Sequence, residues 1–150
     1  MIIDLTNKDL LFFPDKKYLV SRGYLDNVDT FRIPGFRSMT FVEEFLKRRG
    51  IEKPKINEAA CCEFSNVEMH VDNISPPSYA TLVIMLSGKG QLIHTVRTKS
   101  KRQPFSTVSE KIEVGGALIF DFHLPHQFKT AENCIAVLAD VNRKQLERLV

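Results

Sequence analysis

Short apolar runs, some alternating with polar residues, follow one another through most of the chain. From residue 56 onwards they are separated by turn-forming segments such as "NISPPS", "SGKG" and "TKSKRQP". Short β-rich runs with turn signals between them are typical of a β-sandwich or barrel. The pattern predicts strands over residues 56–64, 67–72, 79–86, 91–98, 105–114, 117–122 and 134–140.

Two helices are predicted at the edges of this strand-rich region. The clearer one is "SMTFVEEFLKRRG", residues 38–50, in which apolar residues recur at helical spacing. Thr40 followed three residues later by Glu43 predicts a capping box, and Gly50 after a basic last turn predicts the end of the helix. The last ten residues, 141–150, predict a short C-terminal helix.

The length of 150 residues fits one domain with an adequate core. We therefore expect residues 1–150 to form a single domain in three parts. Residues 1–55 supply N-terminal strands and a helix that packs on the barrel, residues 56–140 form its core, and residues 141–150 close the chain with a helix.

Composition excludes several classes of protein and leaves others open. The net charge of +3 permits a nucleic-acid or acidic partner without indicating one. Three cysteines, two of them adjacent, argue against a disulfide framework, and the lack of a C-x-x-C pair excludes a zinc ribbon. The sequence has no recognisable signal peptide and no apolar run of the roughly 20 residues that a membrane helix needs. We predict a cytoplasmic protein that does not bind membranes.

A histidine and an aspartate lie two positions apart at the end of a predicted strand. His70 and Asp72 form the pattern H-x-D, and "GGALIFDFHLPHQF" predicts a later strand that ends in Pro125 and His126. Residues two apart on a strand share a face. Two histidines and one carboxylate can occupy one face of an octahedral metal and leave its other positions open, as in non-haem iron(II) oxygenases.

Three segments together resemble the 2-oxoglutarate- and iron(II)-dependent dioxygenases, in particular their prolyl-hydroxylase-like branch. These are "HVDN", "ATLVIMLSGKGQL" and "GGALIFDFHLPHQF", and the resemblance covers about residues 56–140. It implies a mostly β fold with flanking helices, a double-stranded β-helix or cupin-like jelly-roll barrel. It further implies that His70, Asp72 and His126 bind Fe(II), that 2-oxoglutarate is the cosubstrate, and that the protein hydroxylates an unknown substrate, with a protein side chain as one candidate.

The sequence departs from this family at the residue that binds the cosubstrate. The family places an Arg or Lys on the strand after the distal histidine, where it grips the far carboxylate of 2-oxoglutarate. This chain has Ile135 and Ala136 there. Some relatives take the basic residue from another strand, which makes Lys89, Arg97 and Lys129 candidates. We take Arg97 and Lys129 as the predicted cosubstrate-binding residues.

Two other functions stay open. A cupin-type metal enzyme would not use 2-oxoglutarate. The distance from Gly115 to His126 fits the second cupin motif, although Asp121 and His123 replace its proline and glycine and the first motif expects H-x-H. Alternatively, a non-catalytic barrel would act by binding a protein or nucleic-acid partner, the latter through the basic segment 97–103.

The remaining histidines and cysteines have ordinary explanations. The H-x-D pair itself could be a hydrogen-bonded anchor of a strand end. His94 lies in an alternating strand, and we assign it no special role. His123 is either substrate-facing, an alternative ligand or a solvated loop residue. Cys61 and Cys62 are expected to be small buried hydrophobic residues.

Overall fold

The computed structural model describes residues 37–72, 75–114 and 116–149. The strands predicted before residue 36 lie outside the described residues. The elements, in chain order, are α1 (Ser38–Arg48), β1 (Ile56–Phe64), β2 (Val67–His70), β3 (Tyr79–Ser87), β4 (Lys89–Arg97), β5 (Phe105–Glu113), β6 (Ala117–Phe120), β7 (His126–Lys129), β8 (Cys134–Asn142) and α2 (Arg143–Glu147).

The eight strands form two sheets of four, and the chain passes back and forth between them. The major sheet has the order β1-β8-β3-β6 and the minor sheet has the order β2-β7-β4-β5. Every paired strand is antiparallel to its neighbour. Two sheets whose strands alternate in this way form a double-stranded β-helix, or jelly roll. The predicted fold class is confirmed.

Two apolar cores hold the layers together. The outer core lies between α1 and the outer face of the major sheet, where Phe45 and Leu46 of the helix pack with Leu82 and Val137. The inner core lies between the two sheets. β3 contributes to both, because Leu82 and Ile84 face outwards and Val83 and Met85 face inwards. A strand buried on both faces reads as a continuous apolar run, which "TLVIML" does.

Helix α1 confirms the predicted position but not the predicted cap. The residue before the helix is Arg37, and no side chain caps the first turn. Phe41 N–H already bonds to the Arg37 carbonyl at 3.0 Å, so Thr40 lies inside the helix and the capping box is wrong. Gly50 has φ of +93°, a left-handed conformation that suits glycine and ends the helix as predicted.

The predicted strand over residues 117–122 stops earlier, and an additional strand follows. β6 ends at Phe120, and the Leu124 N–H then bonds to the Asp121 carbonyl at 3.1 Å in a tight turn. His126 consequently begins β7. The sequence had indicated that it ends the preceding strand, and this prediction is wrong. β7 was not predicted, because four residues next to a longer apolar run give no separate signal.

Two other boundaries also differ from prediction. β2 ends at His70, so Asp72 lies just beyond the strand. At the C-terminus Val141 and Asn142 still belong to β8, and the Asn142 side chain accepts a hydrogen bond from Gln145 N at 3.3 Å. An asparagine that caps a helix in this way places the helix start after it.

Within the described residues, neither helix has the length and apolarity that a membrane crossing requires.

Candidate metal centre

Strand register brings His70 and His126 side by side in the minor sheet. His70 at the end of β2 pairs directly with His126 at the start of β7, and His94 on β4 pairs with His126 from the other side. The two rings of His70 and His126 lie 4.3 Å apart between centroids. The three histidines therefore form one row across the minor sheet, near one end of the barrel.

Asp72 completes the group from outside the strand. Its backbone N–H bonds to the Phe122 carbonyl at 2.9 Å, which fixes the chain after β2 against the β6–β7 turn. Its Oδ2 lies 3.1 Å from His126 Nε2 and 3.4 Å from His70 Nε2. One ligand atom from each of the three side chains lies within 4.8 Å of the others. The structure thus brings together the three residues that the sequence predicted as metal ligands.

Backbone carbonyls orient both imidazoles. His70 Nδ1 lies 2.7 Å from the Glu68 carbonyl, and His126 Nδ1 lies 2.8 Å from the Leu124 carbonyl. A carbonyl only accepts, so each Nδ1 carries the proton and each Nε2 is left to face Asp72. Metal-binding histidines have this same arrangement, in which the second nitrogen donates to a carbonyl or carboxylate.

Burial favours the neutral form of His126. Removal from water lowers its pKa, and the nearby His70 lowers it further, while the Leu124 carbonyl and Asp72 act in the opposite direction. The net pKa lies below the ordinary value. A neutral imidazole with a free Nε2 lone pair is the form that binds a metal.

The chemistry of the donor set fits a cation. Two Nε2 lone pairs and a carboxylate oxygen all accept, and they point at one another across 3.1 and 3.4 Å. Acceptors held face to face repel unless a proton or a metal ion lies between them. Among the described residues this is the one group of three or more potential ligands. Imidazole and carboxylate suit iron, manganese and other first-row metals.

The triad lines one side of a cavity between the two sheets. The cavity has a volume of about 320 Å³, and its walls are mostly apolar. The apolar residues of these walls include Phe64, Val83, Leu92, Phe128 and Leu138. The side chains of His70 and Asp72 are 40% and 38% exposed, whereas His126 is 6% exposed. The candidate metal centre therefore lies where the cavity meets solvent.

A second row of residues faces this cavity from the major sheet. Register aligns Glu58 with Asp140, Asp140 with Thr81, and Thr81 with Phe120. All four side chains line the cavity. The Phe120 ring lies 4.7 Å from the His126 ring and so connects the two rows.

The two predicted cosubstrate-binding residues lie outside this cavity. Arg97 stacks on Phe105, 5.6 Å from its centroid, and lines a separate cavity together with Asp121, His123 and Arg143. Lys129 is exposed at the other end of β7 and lines a third cavity. Of the described residues that line the triad's cavity, none is Lys or Arg. The role of Arg97 and Lys129 in binding 2-oxoglutarate stays a prediction.

His94 is a buried polar residue for which the sequence interpretation gave no role. It is 0% exposed, and its Nε2 bonds to Glu110 Oε2 at 2.8 Å. Its Nδ1 is buried with no hydrogen-bond partner among the described atoms. The signal was its spacing, since His94 follows Leu92 by two positions and shares its inward face.

The β6–β7 turn is fixed by an ion pair. The buried Asp121 contacts the Arg143 guanidinium at 2.8 Å and accepts the His123 backbone N–H at 3.0 Å. Burial alone would raise the pKa of Asp121, but these two partners outweigh it and hold the pKa below its ordinary value. The His123 ring packs on Phe122 and lines the same separate cavity as Arg97, outside the triad.

The adjacent cysteines of β1 face opposite sides of the major sheet. Cys61 packs against the outer core, and Cys62 lines the triad's cavity. Burial, followed by the neighbouring Cys62, raises the pKa of Cys61 to about 12. Burial and then the Glu58 charge raise the pKa of Cys62. Both thiols are therefore held protonated at neutral pH, a form that binds metals poorly.

Comparison with known proteins gives similarity at the level of the fold. No family model matches the chain, and no curated protein shows a significant match. Among solved structures, the chain is similar to YcfD, a ribosomal oxygenase from Escherichia coli in complex with cobalt and succinic acid. The match is 18% identical with a TM-score of 0.47 and covers 82% of this chain and 37% of that chain.

Two cupin structures are also similar. One is a cupin-2 domain-containing protein from Shewanella frigidimarina, 9% identical with a TM-score of 0.37, covering 68% of this chain and 92% of that one. The other is the cupin domain of Drosophila melanogaster CENP-C, 10% identical with a TM-score of 0.39, covering 69% and 97%. These values are too low to transfer an activity. The strand order itself defines the class of protein, which is a double-stranded β-helix barrel with a candidate metal centre.

Proposed function

We propose that this protein is a mononuclear iron(II)-dependent oxygenase whose metal is held by His70, Asp72 and His126. One observation supports this most strongly. Three acceptor atoms, with both imidazoles oriented by carbonyls, converge at the mouth of an apolar cavity. A structural strand anchor would need an extra proton between these atoms, and burial disfavours that proton on His126 because it lowers the pKa of the imidazole.

The residues of the chain have distinct roles in this proposal. A bound iron(II) would supply oxygen activation, which no side chain provides. His70, Asp72 and His126 would hold the ion with three ligands, which would leave it able to bind substrate or oxygen as well. The Phe120 ring packs on His126 and restricts its rotation. The apolar walls hold the substrate and exclude water from the reacting atoms.

The cosubstrate separates two forms of the proposal. The resemblance in sequence favours 2-oxoglutarate, because H-x-D and a distal histidine are the ligand pattern of that family. The cavity favours the cupin-type form without 2-oxoglutarate. The inward-facing positions of β8 are Cys134, Ala136, Leu138 and Asp140, so the strand that carries the basic residue in the family carries an acid here. We propose the cupin-type form, with the 2-oxoglutarate-dependent form as the alternative.

The test combines metal binding with oxygen consumption. Anaerobic calorimetry titrates Mn²⁺ and then Fe²⁺ into wild type, into His126→Ala and into His123→Ala. The last variant removes a histidine from the neighbouring turn and so also tests His123 as an alternative ligand. We expect wild type and His123→Ala to bind one ion each, and His126→Ala to bind at least about 10-fold more weakly.

The cosubstrate is tested on the same samples by adding 2-oxoglutarate to the metal-loaded protein. Binding of 2-oxoglutarate, with oxygen uptake that depends on it, supports the alternative form. Metal binding without 2-oxoglutarate binding supports the cupin-type form. Failure of wild type to bind either ion contradicts both forms and favours a barrel that acts by binding a partner.

A further inference from the structure

We propose that the substrate of this cavity is an apolar molecule with a protonated nitrogen, which Asp140 and Glu58 bind opposite the metal centre. The inference rests on the proposed function in one respect, which is that the end of the substrate nearest His70, Asp72 and His126 is the end that reacts. The binding of the cationic group by the two carboxylates does not require a metal, and it can be tested without one.

Two rows of side chains face each other across the barrel. The minor sheet presents the row of His70 and His126, and the major sheet presents the row of Glu58, Asp140 and Thr81. Facing sheets of a sandwich lie roughly 10 Å apart, which is the length of a small organic molecule. A substrate that reaches the metal with one end therefore brings its other end to the carboxylates.

The carboxylate pair has no counter-ion within the described part of the chain. Glu58 and Asp140 are direct cross-strand partners on the inner face, and neither makes an ion pair there. Like charges directly opposite each other destabilise a sheet. A cation between them would relieve this repulsion, and no Lys or Arg among the described residues lines the cavity to provide it.

Asp140 is held in place for this contact. Its Oδ2 accepts a hydrogen bond from Ser75 Oγ at 2.6 Å, and its Oδ1 accepts one from Thr81 Oγ1 at 2.9 Å. Ser75 is itself fixed by Asn57 Nδ2 at 2.6 Å. Both donors are neutral hydroxyls, so neither provides a counter-charge, and the carboxylate oxygens have further lone pairs that can accept from a ligand.

The rest of the cavity indicates the body of the substrate. Between the two rows the walls are aromatic and aliphatic, for example Val83, Phe128 and Leu138. An apolar body gains from burial there, and an ammonium group gains a charge-assisted hydrogen bond at Asp140. A dicarboxylate such as 2-oxoglutarate would instead place its far carboxylate beside two acids. The described residues that line the cavity include no Lys or Arg, which suits a cationic ligand better than a dicarboxylate.

The experiment compares three probes of similar size by ligand-observed NMR on the metal-free protein. They are phenethylamine, 2-phenylethanol and 3-phenylpropionate, which differ in charge and share the phenyl group. We expect the amine to bind in the millimolar range or tighter and the acid to bind at least about 10-fold more weakly. Asp140→Asn and Glu58→Gln should each weaken the amine by about 3- to 10-fold and bring it close to the alcohol.

Glu63→Gln is the matched control. It removes the same charge from the same strand, but Glu63 pairs with Ile135 and does not line the cavity. Its amine affinity should equal that of wild type. Because Asp140→Asn could disturb the Ser75 and Thr81 hydroxyls, Glu58→Gln serves as the second variant, since the Glu58 side chain makes no hydrogen bond to another described residue.

Three results would overturn the proposal. One is preference for the acid, another is amine binding that Glu58→Gln and Asp140→Asn leave unchanged, and the third is no amine binding at about 10 mM. None of these bears on the metal, which calorimetry measures separately. A protein that binds metal but not the amine retains the proposed function and loses the substrate class. A protein that binds the amine but no metal retains the cation-binding cavity and loses the proposed oxygenase function.

Discussion

Replacing Asp72 by asparagine should affect the metal-free and the metal-loaded protein in opposite directions. In the metal-free protein Asp72 Oδ2 lies 3.1 Å from His126 Nε2 and 3.4 Å from His70 Nε2, and both nitrogens present lone pairs. An asparagine Nδ2–H at this position would donate to one of them. At a pH where both imidazoles are neutral, the substitution exchanges a repulsive contact for a hydrogen bond, at the cost of the charged metal ligand.

The magnitude follows from the exposure of the groups. A net hydrogen bond contributes about 1 kcal/mol to the free energy of unfolding. Because the Asp72 side chain is 38% exposed, water screens the interaction, and we expect a gain of about 0.5 kcal/mol, or roughly 1–2 °C in Tm. A metal at about 100 times its Kd stabilises wild type by about 2.7 kcal/mol, or roughly 5–10 °C. The variant should lose most of that shift.

Thermal unfolding at about pH 8, with EDTA or with excess Mn²⁺, measures both effects, and His126 is neutral under these conditions because burial lowers its pKa. Glu68→Gln is the control, since it removes an exposed charge from β2, the strand that Asp72 follows. A metal-free Asp72→Asn protein that is less stable than wild type by about 1 kcal/mol or more would refute the reasoning. It would show that Asp72 anchors the strand end and that its carboxylate is not repelled by the Nε2 atoms of His70 and His126.

Three further predictions concern the surroundings of the site. Since the pKa of Asp121 is lowered, its ion pair with Arg143 should stabilise the fold at neutral pH, and this stabilisation should be lost as the pH falls through the folded-state pKa. Arg143→Gln should lower the free energy of unfolding by about 3 kcal/mol at pH 7 and weaken its dependence on pH, as measured by urea titrations at several pH values. Because burial raises its pKa to about 12, Cys61 should be alkylated at least about 10-fold more slowly in the native than in the unfolded protein, as followed by mass spectrometry. Comparable rates would contradict its partial burial. Gly90→Ala should destabilise by about 1–3 kcal/mol, because the new Cβ would lie 2.5 Å from Phe128 Cζ and 2.6 Å from the Lys129 carbonyl oxygen; an unchanged urea midpoint would contradict this packing.

Local patterns were sufficient for most of the fold. β3 and β8 are apolar runs with turn signals at their ends, and both occur where the sequence predicted them. β7 was not predicted, because Asp121 and Phe122 look like the continuation of β6 and the four residues of β7 give no separate signal. Only the turn bond from Leu124 to the Asp121 carbonyl separates the two strands. Asp121 in this turn also pairs with Arg143, a contact distant in sequence.

Part of the candidate site could be predicted from the sequence, and part could not. His70, Asp72 and His126 could be found from spacing and from resemblance, because the H-x-D pattern is local. The facing pair of Glu58 and Asp140 could not, since it depends on the register of β1 against β8. Asp140 in the apolar strand "CIAVLADVN" was a signal of a functional carboxylate. That Glu58 lies opposite Asp140 follows only from the register of the folded sheet.

The most direct test of the metal centre is the anomalous scattering of a crystal soaked anaerobically with Fe²⁺ or Mn²⁺. We predict one strong peak at about 2.0–2.3 Å from His70 Nε2, Asp72 Oδ2 and His126 Nε2. The side of the ion that faces the cavity should be open to water or substrate. A peak elsewhere, for example beside His94 and Glu110, or no peak at these three atoms, would contradict the proposal that they form the metal centre of an oxygenase.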